Sequence, residues 1–301
     1  MRAWTVRALA ALAAGGALAL LPSPLRAAAQ GESRLDPAGL RGCAARRPEW
    51  IWCDDFETDR IGFYFEYDSA GGRFTRRPGV GRDGSFGMRA QYVAGVTNSG
   101  HLSLAMGRTP QRNFRPVDEG RRNYRELYWR LYLRLEPGWS GGGGAKLTRA
   151  IVFAAPSWAE AAIAHVWSGT ARQGNGLMLD PASGTDSAGA LRTTRYNDFP
   201  NLTWIGLARG RAQIFDPRRA GAWVCIEAHA RLNDPGQANG IFELWIDGES
   251  DAARTGLNFL GRYADYGFNA LNVENWWNDG APRNQERYFD DLVVSTARIG
   301  C

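Results

Sequence analysis

Between Ala222 and Gly248 the chain alternates apolar and polar residues with a period of two. In AWVCIEAHARL, Val224, Ile226, Ala228, Ala230 and Leu232 share one parity, and Trp223, Cys225, Glu227, His229 and Arg231 the other. After the turn-rich NDPGQANG, the run IFELWIDG places Phe242, Leu244 and Ile246 opposite Ile241, Glu243, Trp245 and Asp247. Successive strand side chains point to opposite faces, so this pattern predicts a β-hairpin with one core face and one face toward solvent or ligand. Its register must match even-numbered to even-numbered core residues, because a slip of one residue exchanges the faces.

ELYWRLYLRL repeats the pattern strictly: Leu127, Trp129, Leu131, Leu133 and Leu135 point inward, and Glu126, Tyr128, Arg130, Tyr132 and Arg134 outward. Short apolar or alternating runs between Gly, Pro, Asn and Asp punctuation add further strands. They are Ile51–Phe56, Phe63–Tyr67, Gly87–Val96, Leu102–Met106, Arg149–Ala154, Ala162–Trp167, Leu177–Leu179, Leu202–Leu207, Ala270–Trp276 and Tyr288–Ile299. Ser157-Trp158-Ala159-Glu160 has capping-box spacing before an Ala-rich run and reads as a helix start. The neighbouring strands favour a strand there instead, with Ile163, His165 and Trp167 on one face. Many short strands without helical alternation predict an all-β fold of two packed antiparallel sheets, a sandwich or jelly roll. Such a fold can leave one sheet concave and open to an extended polymer.

The N-terminus changes the picture of destination and charge. Arg2 and Arg7, the apolar run Ala8–Leu21 and Ala27-Ala28-Ala29 read as a cleaved signal peptide over residues 1–29, which predicts a secreted or periplasmic protein. The apolar run is too short for a membrane span. A polar lead-in follows over 30–49, and 50–301 reads as a single β-domain. Removing the leader takes away three arginines and no acid, lowering the formal net charge from +5 to +2. The basic residues are scattered, which argues against a nucleic-acid partner. Four cysteines in an exported chain predict two disulfides. Pairing of the terminal strands favours Cys43–Cys301 with Cys53–Cys225; the rival is a local Cys43–Cys53 link. No CxxC spacing supports a metal site.

Several stretches together resemble the concanavalin A-like lectin/glucanase superfamily, and within it the secreted polysaccharide-lyase-type jelly rolls. These are IWCDDFE near the start of the domain, RYFDDLVVSTARIGC at its end, NYRELYWRLYLRL with GWSGGGGAKL, and WVCIEAHARLN with GIFELWIDG. The resemblance implies a concanavalin A-like jelly roll that engages a polysaccharide. It departs from the superfamily's glucanases, which carry acids alternating on one strand: here Glu243, Asp247 and Glu249 run into a turn. Retaining hydrolysis needs two carboxyl groups about 5 Å apart, and only Glu227 and Glu243 face each other across strands in this reading. Relative to alginate lyases, Arg125-Glu126-Leu127 and His165 are partial echoes of longer motifs.

β-Elimination on a uronate needs a group to neutralise the carboxylate, a base for the C5 proton and a donor to the leaving oxygen. Arg130 and Lys146 are candidates for the first role or for base, His229 or His165 for base, and Tyr132 for donor. Tyr128, Glu227, Arg231, Glu243, Trp245 and Trp276 are candidate substrate-binding residues. Lys146 is the one lysine among 36 basic residues and follows four glycines, placing it on a flexible loop. Alternating Arg and Tyr on a sheet also stabilise cross-strand packing with no catalytic part. Of the adjacent Trp276 and Trp277, one is expected in the core beside Val273 and the other exposed as a stacking plate. No cofactor is required; Asp54, Asp55, Glu57, Asp290 and Asp291 form a candidate structural Ca²⁺ cluster if the end strands pair. Three readings therefore stay open: a lyase on an acidic glycan, a noncatalytic glycan-binding or envelope protein, and an atypical hydrolase using Glu227 and Glu243.

Overall fold

Alternation writes the two sheets. A computed structural model describes residues 42–169 and 174–301; the signal-peptide reading and most of the lead-in fall outside these. Sixteen strands are present among the described residues: β1 (Trp50–Asp54), β2 (Glu66–Asp68), β3 (Phe74–Arg77), β4 (Gly87–Tyr92), β5 (Asn98–Ala105), β6 (Glu126–Leu135), β7 (Ala145–Phe153) and β8 (Glu160–Trp167), then β9 (Met178–Ser183), β10 (Thr203–Trp204), β11 (Ala208–Arg209), β12 (Trp223–Arg231), β13 (Gly240–Ile246), β14 (Glu249–Leu257), β15 (Ala270–Trp277) and β16 (Gln285–Ser295). No α-helix occurs among them. The ambiguous segment is strand β8, whose Ala162, Ala164 and Val166 enter the core while Ile163 and His165 take the other face.

The first sheet runs β14-β13-β12-β6-β16-β4-β3, with β1 also on β16; the second runs β10-β9-β8-β7-β15-β5-β2, with β11 on β9. The two sheets form an antiparallel β-sandwich. The hairpin keeps the expected parity, pairing Ile226 with Ile246, Ala228 with Leu244 and Ala230 with Phe242. Those residues and Leu127, Trp129, Leu131 and Leu133 from β6 meet Leu147, Ala150, Val152, Leu271 and Val273 from the second sheet in one buried cluster. Each large side chain buried there contributes about 1.5–3 kcal/mol before conformational entropy is set against it.

Besides the two-residue β11, two strands escaped the sequence pattern, β3 (FTRR) and β14 (ESDAARTGL). They are the two ends of the first sheet. An end strand has a neighbour on one side only and tolerates polar residues, which blur the alternation. The favoured disulfide pairing is overturned: the bonds are Cys43–Cys53 and Cys225–Cys301. β1 and β16 do pair antiparallel, yet the tail beyond Ser295 turns away across β6 toward β12. Cys301 therefore reaches Cys225, and Cys43 closes the short local loop.

Candidate functional site

The outward residues of the hairpin and of β6 share one face, as their pairing requires: Glu227 opposes Arg130 and Trp245, and His229 opposes Tyr128 and Glu243. The tail covers part of that face. Arg130 Nη1 donates to the Gly300 carbonyl at 3.0 Å and Tyr132 donates to the Cys301 carbonyl at 2.8 Å. Glu227, fully buried, accepts from the Ile299 and Gly300 amides at 2.7 and 3.1 Å and from Arg298 Nε at 3.1 Å. The Arg298 guanidinium lies 3.9 Å above the Trp245 ring. His229 is held between Glu126 and Glu243, 2.8 Å from each, and stacks on Tyr128 at 4.1 Å. Arg231 donates to the Asn239 carbonyl. The pair Glu227 and Glu243 consequently has no open cleft between its carboxyl groups, because one is sealed under the tail and the other grips His229.

The remaining candidates, Lys146, His165 and Trp276, lie on the outer face of the second sheet. The candidate constellation is thus divided between opposite sides of the sandwich. On this second face a cleft of about 410 Å³ is lined by Lys146, Arg149, Ile163, His165, Trp167, Asp180, Asn197, Phe199, Trp204, Trp276 and Asn278. Strands β7, β8 and β15 form its floor, and the segment from Asn197 to Trp204 supplies one wall. Register shifts occur at Lys146–Thr148 and at Val273–Trp276, where the pairing of β7 with both neighbours is interrupted. Bulges of this kind re-aim side chains, and here Lys146 and Trp276 end up side by side, 5.4 Å from Nζ to ring. Trp277 turns into the core and is 3% exposed, while Trp276 stays partly open.

Lys146 is not on a flexible loop: it is the second residue of β7. The glycines before it are closely packed. A Cβ on Gly144 (φ +95°) would come within 2.7 Å of the Trp277 ring, and one on Gly143 within 2.4 Å of the Ser168 carbonyl. Glycine is required there because nothing larger fits between the segment and the sheet.

Arg149 organises the floor. It bonds Glu274 twice, Nε to Oε2 at 2.6 Å and Nη2 to Oε1 at 2.7 Å, donates to Asn197 Oδ1 at 2.8 Å, and donates from Nη2 to the Tyr196 hydroxyl. Tyr196 also accepts from Asn272 Nδ2 at 3.4 Å. Lys146 Nζ lies 3.8 Å from Glu274 Oε1. Burial alone would raise Glu274, but Arg149 and Lys146 hold its carboxyl below the usual range. Burial lowers Lys146, with Glu274 opposing and Arg149 assisting. His165 is pushed well below its ordinary value by burial and then by the Arg149 and Lys146 charges, so it stays neutral; its buried Nε2 has no hydrogen-bond partner among the described residues. Burial raises Glu160 to about 7, Asp180 to about 6, and the Tyr196 hydroxyl well above its usual range.

Arg149, Tyr196, Asn197, Glu160 and Asp180 escaped the candidate set. A signal existed for Arg149: it is the single charge inside the apolar run LTRAIVF, and a charge buried in a strand requires a partner. Tyr196 and Asn197 sit in an irregular segment whose distant contacts leave no local pattern.

The acids proposed for calcium are adjacent but occupied. Asp54 accepts from the Phe56 amide and the Tyr64 hydroxyl, Asp290 from the Arg82 and Asp291 amides, Asp291 from Arg82 Nη1, and Asp55 from the Cys43 and Glu57 amides. Calcium needs six to eight oxygens converging on one point. Among the described residues no group of three or more His, Cys, Asp or Glu side chains is arranged to hold a metal.

No protein-family model and no curated protein matches the sequence. Solved structures do match. An endo-β-1,4-glucuronan lyase from the fungus Trichoderma reesei superposes with a TM-score of 0.56 at 14% identity, covering 82% of this chain and 96% of that one. An alginate lyase from a Chlorella virus gives 0.55 at 15% identity over 78% and 94%. A marine alginate lyase from Aplysia kurodai gives 0.53 at 11% over 82% and 99%. The chain shares the two-sheet antiparallel jelly-roll fold of these structures. At such identities the likeness concerns the fold, and the chemistry must be argued from the cleft.

Proposed function

We propose that the chain is an exported polysaccharide lyase that cleaves a uronate-containing glycan by β-elimination in the cleft of the second sheet. One observation carries this reading: the chain's single lysine and a neutral histidine, whose buried Nε2 has no hydrogen-bond partner among the described residues, line one cleft, and a tyrosine held by a buried arginine of that cleft lies beside it. Glu274 neutralises Arg149, which leaves Lys146 as the cation facing the cleft. Lys146 holds the uronate carboxylate and stabilises the charge that develops on it when C5 loses its proton. His165 Nε2 takes that proton. The C4–C5 double bond forms as the C4–O4 bond breaks, and O4 is protonated by Tyr196, whose hydroxyl accepts from Arg149 and Asn272 and keeps its own proton to give. Trp276 on one side and the exposed Phe199 and Trp204 on the other offer apolar plates to sugar rings. Glucuronan and alginate are the substrates to try first, since lyases sharing this fold act on them. Two disulfides suit an oxidising compartment.

The test is incubation with a panel of uronate polysaccharides while ultraviolet absorbance and reducing ends are both followed. Rising absorbance from an unsaturated uronate supports the proposal. New reducing ends without it would indicate hydrolysis, and retention of glycan without new ends would indicate binding alone; either overturns it.

A further inference from the structure

The segment from Thr193 to Asn201 delivers Asn197 and Phe199 to the cleft lining and brings Tyr196 beside it onto Arg149. Its own stitching is short-range. Asp198 Oδ2 accepts from the Thr194 amide and hydroxyl at 2.8 and 2.9 Å and from Asn201 Nδ2 at 3.0 Å. Those bonds shape the turn without attaching it to the sheet. The attachment comes from the Thr193 amide, which donates to the Gly184 carbonyl at 3.4 Å, from Arg149 on β7, and at two points from the first residue of β8.

Glu160 is fully buried, and its Oε2 accepts the Asn197 amide at 2.9 Å. Its main-chain carbonyl accepts the Thr193 hydroxyl at 2.8 Å. Gly184 is pressed against that carbonyl, where an added Cβ would lie 1.9 Å from the oxygen, so the main chain of Glu160 has no room to move. Asn197 has a left-handed backbone (φ +54°), uncommon outside glycine and eased in asparagine. The carboxylate thus grips the segment at the residue whose conformation directs one side chain and its predecessor toward Arg149. Its other oxygen, Oε1, is buried with no hydrogen-bond partner among the described residues. A buried carboxylate oxygen left unpaired is costly, which marks the position as more than a convenient surface anchor.

We infer that Glu160 is the positioning residue of the cleft, strapping the 193–201 segment to β8 so that Tyr196 and Asn197 reach Arg149. It acts through those residues and does not itself touch substrate. The charged and titratable groups around it are Arg149 and Lys146 on β7, Glu274 on β15 and Tyr196 on the strapped segment.

Hydrogen exchange on the full chain, wild type against Glu160→Ala, Glu160→Asp and Glu160→Gln, tests this. Alanine removes the acceptor and aspartate withdraws it by one methylene, so both are expected to speed exchange across 193–201 by at least about tenfold while β12 stays protected. Glutamine keeps an acceptor oxygen in place and is expected to exchange near the wild-type rate. Unchanged exchange in the alanine and aspartate variants overturns the inference. Equal acceleration in glutamine overturns it too, since the acceptor would then not be what matters. If the alanine variant does not fold, aspartate against glutamine still decides. The kinetic arm alone rests on the proposed lyase activity: kcat/KM is expected to fall on the order of 100-fold in alanine, the scale of a misplaced catalytic group, and to be largely retained in glutamine. A wild-type chain without lyase activity would leave the exchange result standing and defeat the functional reading instead.

Discussion

Arg149 and Glu274 face each other across neighbouring strands β7 and β15 and are joined by two parallel hydrogen bonds of 2.6 and 2.7 Å. Both side chains are nearly inaccessible, at 2% and 9% exposure. A bidentate pair of this kind fixes geometry as well as charge. Because each neutralises the other, Lys146, 3.8 Å away and 14% exposed, is the charge presented to the cleft. The arginine is therefore scaffold, holding Tyr196 and Asn197, and the lysine is the working cation of the proposed reaction.

Replacing Glu274 with glutamine keeps the shape and removes the partner charge. The guanidinium of Arg149 would be left buried and uncompensated beside Lys146. Breaking one half of a buried pair costs about 3–5 kcal/mol. Urea unfolding of Glu274→Gln should show a loss of that size; a loss below about 1 kcal/mol would mean the pair is not the clamp described.

Lys146→Met should lower kcat/KM on a uronate polymer by roughly 100-fold, the scale of removing one preorganised electrostatic group. Stability should stay within about 1 kcal/mol, because methionine retains the apolar stem that packs at the rim. Lys146→Arg is not expected to restore full activity, since a planar, bulkier guanidinium does not take the place of a compact ammonium beside Trp276. Steady-state kinetics beside a melting curve separates the two effects.

Most of the architecture was legible because sandwich strands carry their faces in their parity. The hairpin register, the split of Trp276 from Trp277 and the strand character of β8 all follow from period-two packing. The site was legible only in part. Arg130, Tyr132 and His229 do point outward, as β6 and β12 require, but outwardness does not say which sheet carries the cleft. That depends on the tail, which a disulfide 76 residues long in sequence separation draws over the first sheet, and on the segment 193–204, which walls the second. Neither leaves a local signature.

Asp290 predicts a pH dependence. Burial, with Asp291 beside it, raises its carboxyl to about 7 from 3.8. The unfolded chain releases that proton near pH 4, whereas the folded chain keeps it until about pH 7. Its contribution is therefore fully present below pH 4 and lost as the pH rises to 7. Asp290→Asn removes this term, so the variant should lose less stability than wild type between pH 4 and 7, by on the order of a few kcal/mol. Denaturant titrations at both pH values measure the difference. Parallel curves would show that Asp290 ionises as readily in the fold as out of it.

Deleting residues 298–301, with Cys225→Ala to avoid a lone thiol, separates the two faces of the sandwich. The deletion removes the disulfide and all three donors to the buried Glu227 carboxylate, and frees Arg130 and Tyr132. The disulfide alone is worth about 2–4 kcal/mol, and a stranded carboxylate adds to that. The cleft lies on the opposite sheet and shares no side chain with the tail. The variant should thus unfold at clearly lower denaturant while kcat/KM per folded molecule stays within about twofold of wild type, as expected for distant independent sites. A collapse of activity in the still-folded variant would return the reacting groups to the first sheet, among Arg130, Tyr132 and His229, and remove the cleft of Lys146 from the mechanism.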